Sequence, residues 1–421
     1  MFKNDKMFPR FALYGFLKNL RFFEPFMVLF FVEQGMSFLQ IGILYAIRDI
    51  ATNLLEIPAG VYADAFGRRQ SMLISFGSYI LSFIIFFAFP NPYIYSLAMI
   101  IFALGEAFRT GTHKALILEH LKLNDMSHLK VAYYGRTRAS SQLGSALNSI
   151  LAAGLVFYSG SYRYIFIASI VPYVLDFVNL ASYPKELDGE LAQLQRGAIS
   201  TQIRTTLHTF GAMFKDHGAL RAILNSSGFD AFFKSTKGYL QPILESFALA
   251  LPLFTVLEDT RRSAIIIGAV TFIMYLMTSY ASRNAQGFSE RFDNIVCAIN
   301  ITFFLGAICL LIAGIATWTH ISFVSILIFI VFYLLQNVRR PMNVSFISDQ
   351  ISNKVMASGL SVESQVTTVL MALLAPILGA IADAYGVGTA LVIFGILMAI
   401  FGLLANVKHH QRRTVDDSAT A

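Results

Sequence analysis

The sequence predicts an all-α membrane protein with twelve transmembrane helices, and three observations carry that reading. Of 421 residues, 56% are hydrophobic and only 14% charged, against roughly 25% charged in an ordinary soluble domain. Apolar segments recur along the whole chain, each close to the ~20 residues that a bilayer crossing needs. Charge inside those segments concentrates in some of them, where it recurs at helical spacing.

The segments run near residues 11–34, 38–62, 71–90, 93–112, 139–159, 162–183, 222–246, 263–282, 294–317, 320–340, 359–381 and 388–406. The seventh is the least apolar, because one of its faces is polar and the stretch FALALPLFTVL that follows is too short to cross alone. The basic opening MFKNDKMFPR precedes an apolar stretch too long and too charged for a signal-peptide core, so the first segment is expected to be retained. Cys297 and Cys309 fall in one span, about 18 Å apart along a helix, too far to bridge each other.

Basic residues mark one side of the membrane. Arg68, Arg69, Lys122, Lys130, Arg136, Lys185, Arg196, Arg204, Lys215, Arg283, Arg291 and Lys354 lie in alternate connections, joined by Lys408, Arg412 and Arg413 at the C-terminus. The opposite connections carry little beyond Arg163, Arg261 and Arg262, so both termini are expected to be cytoplasmic. The net charge of +7 thus sets orientation and does not indicate nucleic acid. The longest connection divides the chain into a first half, 1–184, a cytoplasmic linker, 185–218, a second half, 219–407, and a cytoplasmic tail, 408–421.

Internal echoes suggest duplication. PAGVYADAFG after span two is matched by PILGAIADAYG at the end of span eleven, and RASSQLGSALNS in span five loosely resembles GLSVESQVTTVL in span eleven. Buried charge concentrates in spans one, four, seven and ten, plus two, the spacing that nested three-helix repeats require.

Within those spans the polar residues form stripes. Lys18, Arg21 and Glu24 recur at three-residue steps in span one. Asp49, Asn53 and Glu56 share a face of span two beside Arg48, and Glu106, Arg109 and His113 do the same in span four. Ser226, Asp230, Lys234, Lys237 and Gln241 run along span seven. Tyr333, Gln336, Arg340 and Asn343 occupy one face of span ten around Pro341, where a kink or an early helix end is expected.

Some of these charges can be internal pairs, such as Arg21 with Glu24 and Asp230 with Lys234. A dozen charges at ~2.5–3.5 kcal/mol each at mid-bilayer nevertheless require a hydrated central cavity. Its candidate solute-binding residues are Lys18, Arg21, Arg48, Arg109, Lys234, Lys237, Gln241 and Arg340, and their excess of bases favours an anionic or zwitterionic solute. Carboxylates near bases can change proton affinity as helices move, which makes Glu24, Asp49, Glu56 and Asp230 the candidate proton carriers. The sequence contains no phosphate-cradling glycine loop, H-E-x-x-H or paired-cysteine spacing, so no enzyme activity, cofactor or metal is assigned. His409 and His410 sit among Lys408, Arg412 and Arg413 and read as a basic juxtamembrane segment.

GVYADAFGRRQSML resembles the major facilitator superfamily signature G-x-L-A-D-R-x-G-R-R/K at Gly60, Ala63, Asp64, Gly67, Arg68 and Arg69. LEIPAG, GEAFRTGTHKALILEHL and RRPMNV…LSVESQ…PILGAIAD resemble bacterial efflux-type branches of that superfamily. Span five departs from the drug/proton antiporters, offering QLGSALNSILAAG where they carry G-P-x-x-G-G, and span four lacks their upstream arginine.

The resemblance implies two six-helix bundles around a central cavity lined by spans one, four, seven and ten, a monomer in the bacterial cytoplasmic membrane, and alternating access. It implies proton-coupled export of a small charged organic solute, with import of an organic anion or solute sensing as alternatives. In the signature, Gly60 would permit close helix approach, Gly67 would support a tight turn, and Asp64 with Arg68 and Arg69 would make charged contacts that open and close as the halves rock.

Overall fold

The computed structural model describes residues 5–189, 217–292, 294–350 and 356–407, together with Leu191 and Arg204. Most of the expected linker, with Arg196 and Lys215, lies outside the described residues, as do Lys354 and the whole tail from Lys408 with its histidines.

Helices account for all the regular structure among the described residues. The first half contains α1 (Phe8–Lys18), α2 (Met27–Glu33), α3 (Phe38–Phe66), α4 (Arg68–Ala88), α5 (Pro92–Arg109), α6 (Thr112–Leu123), α7 (Lys130–Ser159) and α8 (Tyr164–Ala181). The second contains α9 (His217–Thr236), α10 (Leu240–Ala250), α11 (Asp259–Arg283), α12 (Ala285–Ser289), α13 (Ile295–Trp318), α14 (Ser322–Gln350), α15 (Met356–Tyr385) and α16 (Val387–Leu404).

Nine helical stretches among the described residues are long and apolar enough to cross a bilayer. The first, fifth and seventh predicted spans are helical but fall outside that set. The first and seventh are broken into shorter pieces, and α7 is rich in polar residues. Large apolar side chains on the outward faces, such as Leu97, Val171, Leu373 and Leu403, are more than half exposed, which suits hydrocarbon and not water.

Local chemistry fixes the helix ends. Ser37 and Gln40 form a capping box at the start of α3. The Asn91 side chain accepts the Tyr93 N–H at 2.9 Å, with Pro92 in the first turn of α5. The two echoed motifs end alike: α3 stops at Gly67 (φ 104°) and α15 at Gly386 (φ 85°), and in both cases the next helix starts at once. A side chain is strained at such φ values, which accounts for glycine at both points.

Packing closes the helices into a ring. In the first half the neighbours run α3, α5, α4, α8, α1, α7; in the second they run α11, α14, α13, α16, α9, α15, the same order of repeat positions. The halves meet where α7 packs on α11 and α15 packs on α3. Close approach at these seams uses glycine: a Cβ on Gly42 would strike the Ala375 carbonyl, and one on Gly379 would strike the Phe38 carbonyl. Each half has an aromatic interior, built around Phe23, Phe86 and Phe166 in the first and Phe229, Phe303 and Phe332 in the second.

Three sequence expectations change here. The helix of span ten does not end early but runs through Pro341 to Gln350. The carbonyl that the proline leaves without a donor belongs to Asn337, a residue on a cavity wall where such a group is tolerated. The connection expected between spans two and three, residues 63–70, is helix except at Gly67, between α3 and α4. Span five starts earlier than expected, at Lys130, because polar residues at this end need no hydrocarbon around them.

Candidate functional site

Two broken helices build the centre of the molecule. Span one stops at Lys18, passes through a 3-10 turn at Glu24–Phe26 and resumes as α2. Pro25 lies in that turn, and its missing N–H is the sequence signal for the break that periodicity alone overlooked. Span seven is interrupted at the equivalent point by the 3-10 turn Lys237–Tyr239. Gln241 joins the two breaks: its amide donates to the Glu24 carbonyl at 2.9 Å, and its Oε1 accepts the Val28 N–H at 2.8 Å. Discontinuous helices in matching positions of two halves are a recurrent way to place polar groups at mid-membrane.

Around the breaks lies a cavity of 910 Å³. Its walls carry Arg21, Arg48, Lys234, Lys237, Gln241 and Arg340 of the expected solute-binding residues, and all four expected proton carriers, Glu24, Asp49, Glu56 and Asp230. Lys18 and Arg109 are not among the lining residues. Arg109 turns to Glu106 and donates to the Tyr79 hydroxyl at 3.0 Å, while the Lys18 carbonyl accepts from Tyr173 at 3.3 Å. His113 is buried behind the wall, stacked on Tyr14 at 3.5 Å.

Several of these charges are paired, though not always as expected. Arg21 reaches Glu106 at 3.1 Å instead of Glu24, because the turn at Pro25 carries Glu24 across to Lys237, 3.9 Å away in the other half. Lys234 and Asp230 pair at 2.6 Å, and Arg48 and Asp49 at 2.8 Å. Asp230 also accepts from Gln336 at 2.6 Å, and the Arg48 guanidinium lies 5.0 Å from the centre of the Tyr45 ring.

Sequence reasoning missed Glu363, which lines the cavity and accepts a hydrogen bond from Ser226. The signal was there: Glu363, Thr367, Met371 and Ala375 recur at four-residue steps and all face the cavity. With Glu106 and Glu363 on the walls, and Lys18 and Arg109 behind them, bases no longer exceed acids.

Among the described residues, a further set of contacts joins the halves at one end. Asp383 accepts the N–H groups of Phe38 and Leu39, Tyr162 donates to Glu245 at 3.1 Å, and the Phe38 and Tyr239 rings stack at 5.3 Å. From this closed end the cavity runs past the Asn53–Thr368 bond (3.2 Å) to Glu56, Asn343 and Glu363.

The signature residues lie beyond that point, toward the other end. A Cβ added at Gly60 would meet no atom within 4 Å, so the close approach expected of this glycine is not made in this conformation. Asp64 is exposed. Arg68 pairs with Glu119 at 3.5 Å, and Arg69 donates to the Tyr183 carbonyl at 3.0 Å and, through its backbone, to Asp188 at 2.7 Å.

Two bundles with matching order around a charged central cavity define a multi-pass membrane transporter fold. A family model described as Major Facilitator Superfamily matches residues 12–364, and the chain belongs to that superfamily. Over 90 residues it is 37% identical to an uncharacterized MFS-type transporter, YxaM, of Bacillus subtilis (strain 168). That match spans 21% of this chain and 23% of the relative. The fold is similar to that of the nucleoside transporter NupG (TM-score 0.73, 15% identity, covering 95% of this chain and 98% of that one). It is also similar to a D-xylose-proton symporter (TM-score 0.68, 15% identity, 94% and 95% covered) and to a POT family transporter in complex with 5-aminolevulinic acid (0.70, 13%, 94% and 94%). At such identities the likeness is one of fold alone.

Proposed function

We propose that this protein moves a small charged organic solute across the bacterial cytoplasmic membrane by alternating access, coupled to protons. The observation that supports it best is the contact of the two broken helices, where Lys237 of one half meets Glu24 of the other inside a cavity lined by both. A solute carrying both a carboxylate and a cation can replace such pairs on each side, and relative motion of the halves then exchanges internal pairs for solute contacts. We read the state as inward-facing: the closed end carries Phe38 and Tyr239, and the other end is the one marked by Arg68 and Arg69.

Glu24, Asp49, Glu56 and Asp230 are the proposed proton carriers, and Arg21, Arg48, Lys234, Lys237, Gln241 and Arg340 the proposed solute contacts. Export is the direction favoured by the efflux-type motifs. Import with protons is the second reading, because one protein of the same fold is a proton symporter.

The test is flux in proteoliposomes of known orientation, with a panel of zwitterions, organic anions and cations under an imposed pH gradient. Zwitterion or anion movement that follows the gradient and is lost in Lys234→Ala and Asp230→Asn supports the proposal. Movement of cations alone, or flux indifferent to the gradient, overturns it. The sign of the gradient that drives accumulation separates export from import.

A further inference from the structure

A second groove, of 420 Å³, lies between α6 and α7 and shares no lining residue with the central cavity. It is lined by Lys114, Lys130 and Arg138 together with Ile117, Leu118 and Tyr134. Lys114 stands over the Tyr134 ring, 5.8 Å from its centre. Among the described residues none of the three cations enters an ion pair, and no carboxylate lines the groove.

Helix register gives the direction in which the groove opens. On α7, Thr137, Ser141 and Gly144 face α1 at Gly15 and Phe16, whereas Ser149 and Ala153 face α11 of the other half at Gly268. At 100° per residue, Tyr134 and Arg138 fall in the arc between those two faces. The groove therefore looks into the space between the halves, at the end away from the Asp383–Phe38 contact.

From this geometry we infer an anion-binding site at the mouth of the cavity, selective for organic carboxylates with an apolar body. Three cations with no acid among them repel one another until an anion enters, and Ile117, Leu118 and Tyr134 beside them give an aryl or alkyl group apolar surface to cover. The groove would concentrate such solutes beside the central cavity. It is a property of the folded protein whether or not the solute crosses, so it can fail without the transport reading failing.

A thiol placed in the groove reads its potential. In a Cys297→Ser, Cys309→Ala background, Leu118→Cys would be modified by an anionic sulfonatoethyl methanethiosulfonate and by the cationic trimethylammonium analogue. Normalised to a free thiol, the anionic reagent should react about tenfold faster, the low end of electrostatic steering. The triple change Lys114→Gln, Lys130→Gln, Arg138→Gln should bring the ratio to about one. Each single change should remove part of it, which keeps the test open if the triple variant does not fold. 4-Phenylbutyrate should slow modification and 4-phenylbutylamine should not. A ratio unmoved by the neutralisations, or equal protection by the amine, overturns the site. Protection by phosphatidylglycerol nanodiscs without protection by 4-phenylbutyrate assigns the groove to lipid and overturns it as well.

Discussion

The carboxylate of Asp383, near the end of α15, accepts the backbone N–H of Phe38, the first residue of α3, at 2.8 Å. Its second oxygen takes the Leu39 N–H at 2.9 Å, while the Ser37–Gln40 capping box bonds the N–H groups on either side. The whole first turn of α3 is thus satisfied, half of it by the opposite bundle. The echoed residue Asp64 holds the same place in its motif but is exposed, so the same short sequence clasps the halves at one end only.

Asp383→Asn should loosen this end. The charged acceptor is replaced by an amide, and loss of about 1.4 kcal/mol shifts a two-state equilibrium tenfold toward opening here. A cysteine at Thr271, on the cavity wall, should then react faster with a membrane-impermeant thiol reagent added from the Phe38 side. Unchanged reactivity would remove Asp383 from the gate.

Arg339→Met should destabilise the second half while Arg340→Met should not. Arg339 is fully buried, donates to Asn225 at 2.8 Å, to Thr302 at 2.6 Å and to the Ile299 carbonyl, and lies 4.2 Å from the Phe229 ring centre. Removing it orphans buried acceptors and a cation–π contact, at about 2–4 kcal/mol. Arg340 lines the cavity and is exposed. Thermal unfolding of the two variants in the same detergent measures the difference.

Asp5 supplies an acid-sensitive contact outside the spans. Burial raises its pKa, but hydrogen bonds from Tyr133 (2.7 Å), the Met7 N–H (2.8 Å) and His120 (3.1 Å) outweigh that and hold it below the ordinary 3.8. A carboxyl depressed in the folded state contributes stability that is present above its unfolded value and lost as pH falls through its folded value. The contribution should therefore be constant from pH 7 to about 5 and decline only below about pH 4, and Asp5→Asn should flatten that decline in a melting series.

Glu363→Gln tests whether a carboxylate absent from the sequence-based candidates takes part in coupling. It keeps the hydrogen-bonding shape toward Ser226 but cannot ionise. Gradient-driven accumulation should fall at least tenfold while solute exchange at equal pH persists. Loss of both would make Glu363 a solute contact instead.

Much of the fold was legible because hydrocarbon imposes a one-dimensional code. Apolar length marks the spans, polar stripes mark the faces that cannot meet lipid, and the residues of the stripes on α3, α9 and α14 do line one cavity. The echo ADAFG/ADAYG likewise pointed to two helix ends with the same positive-φ glycine. Pro25 was visible but was absorbed into an apolar run, so the break in span one went unread.

The sequence by itself determined which segments are apolar enough for the membrane and which helical faces carry charge, because both depend only on residue type and the 3.6-residue period. Only the tertiary structure decided which charges meet. A helical face defines a direction but not a neighbour, so Arg21 pairs with Glu106 and not Glu24, Lys18 and Arg109 stay behind the wall, and Glu363 stands in it. Those outcomes depend on where the chain breaks and how two bundles dock, through contacts such as Gly42 on Ala375 and Gln241 on Glu24 that join residues hundreds of positions apart.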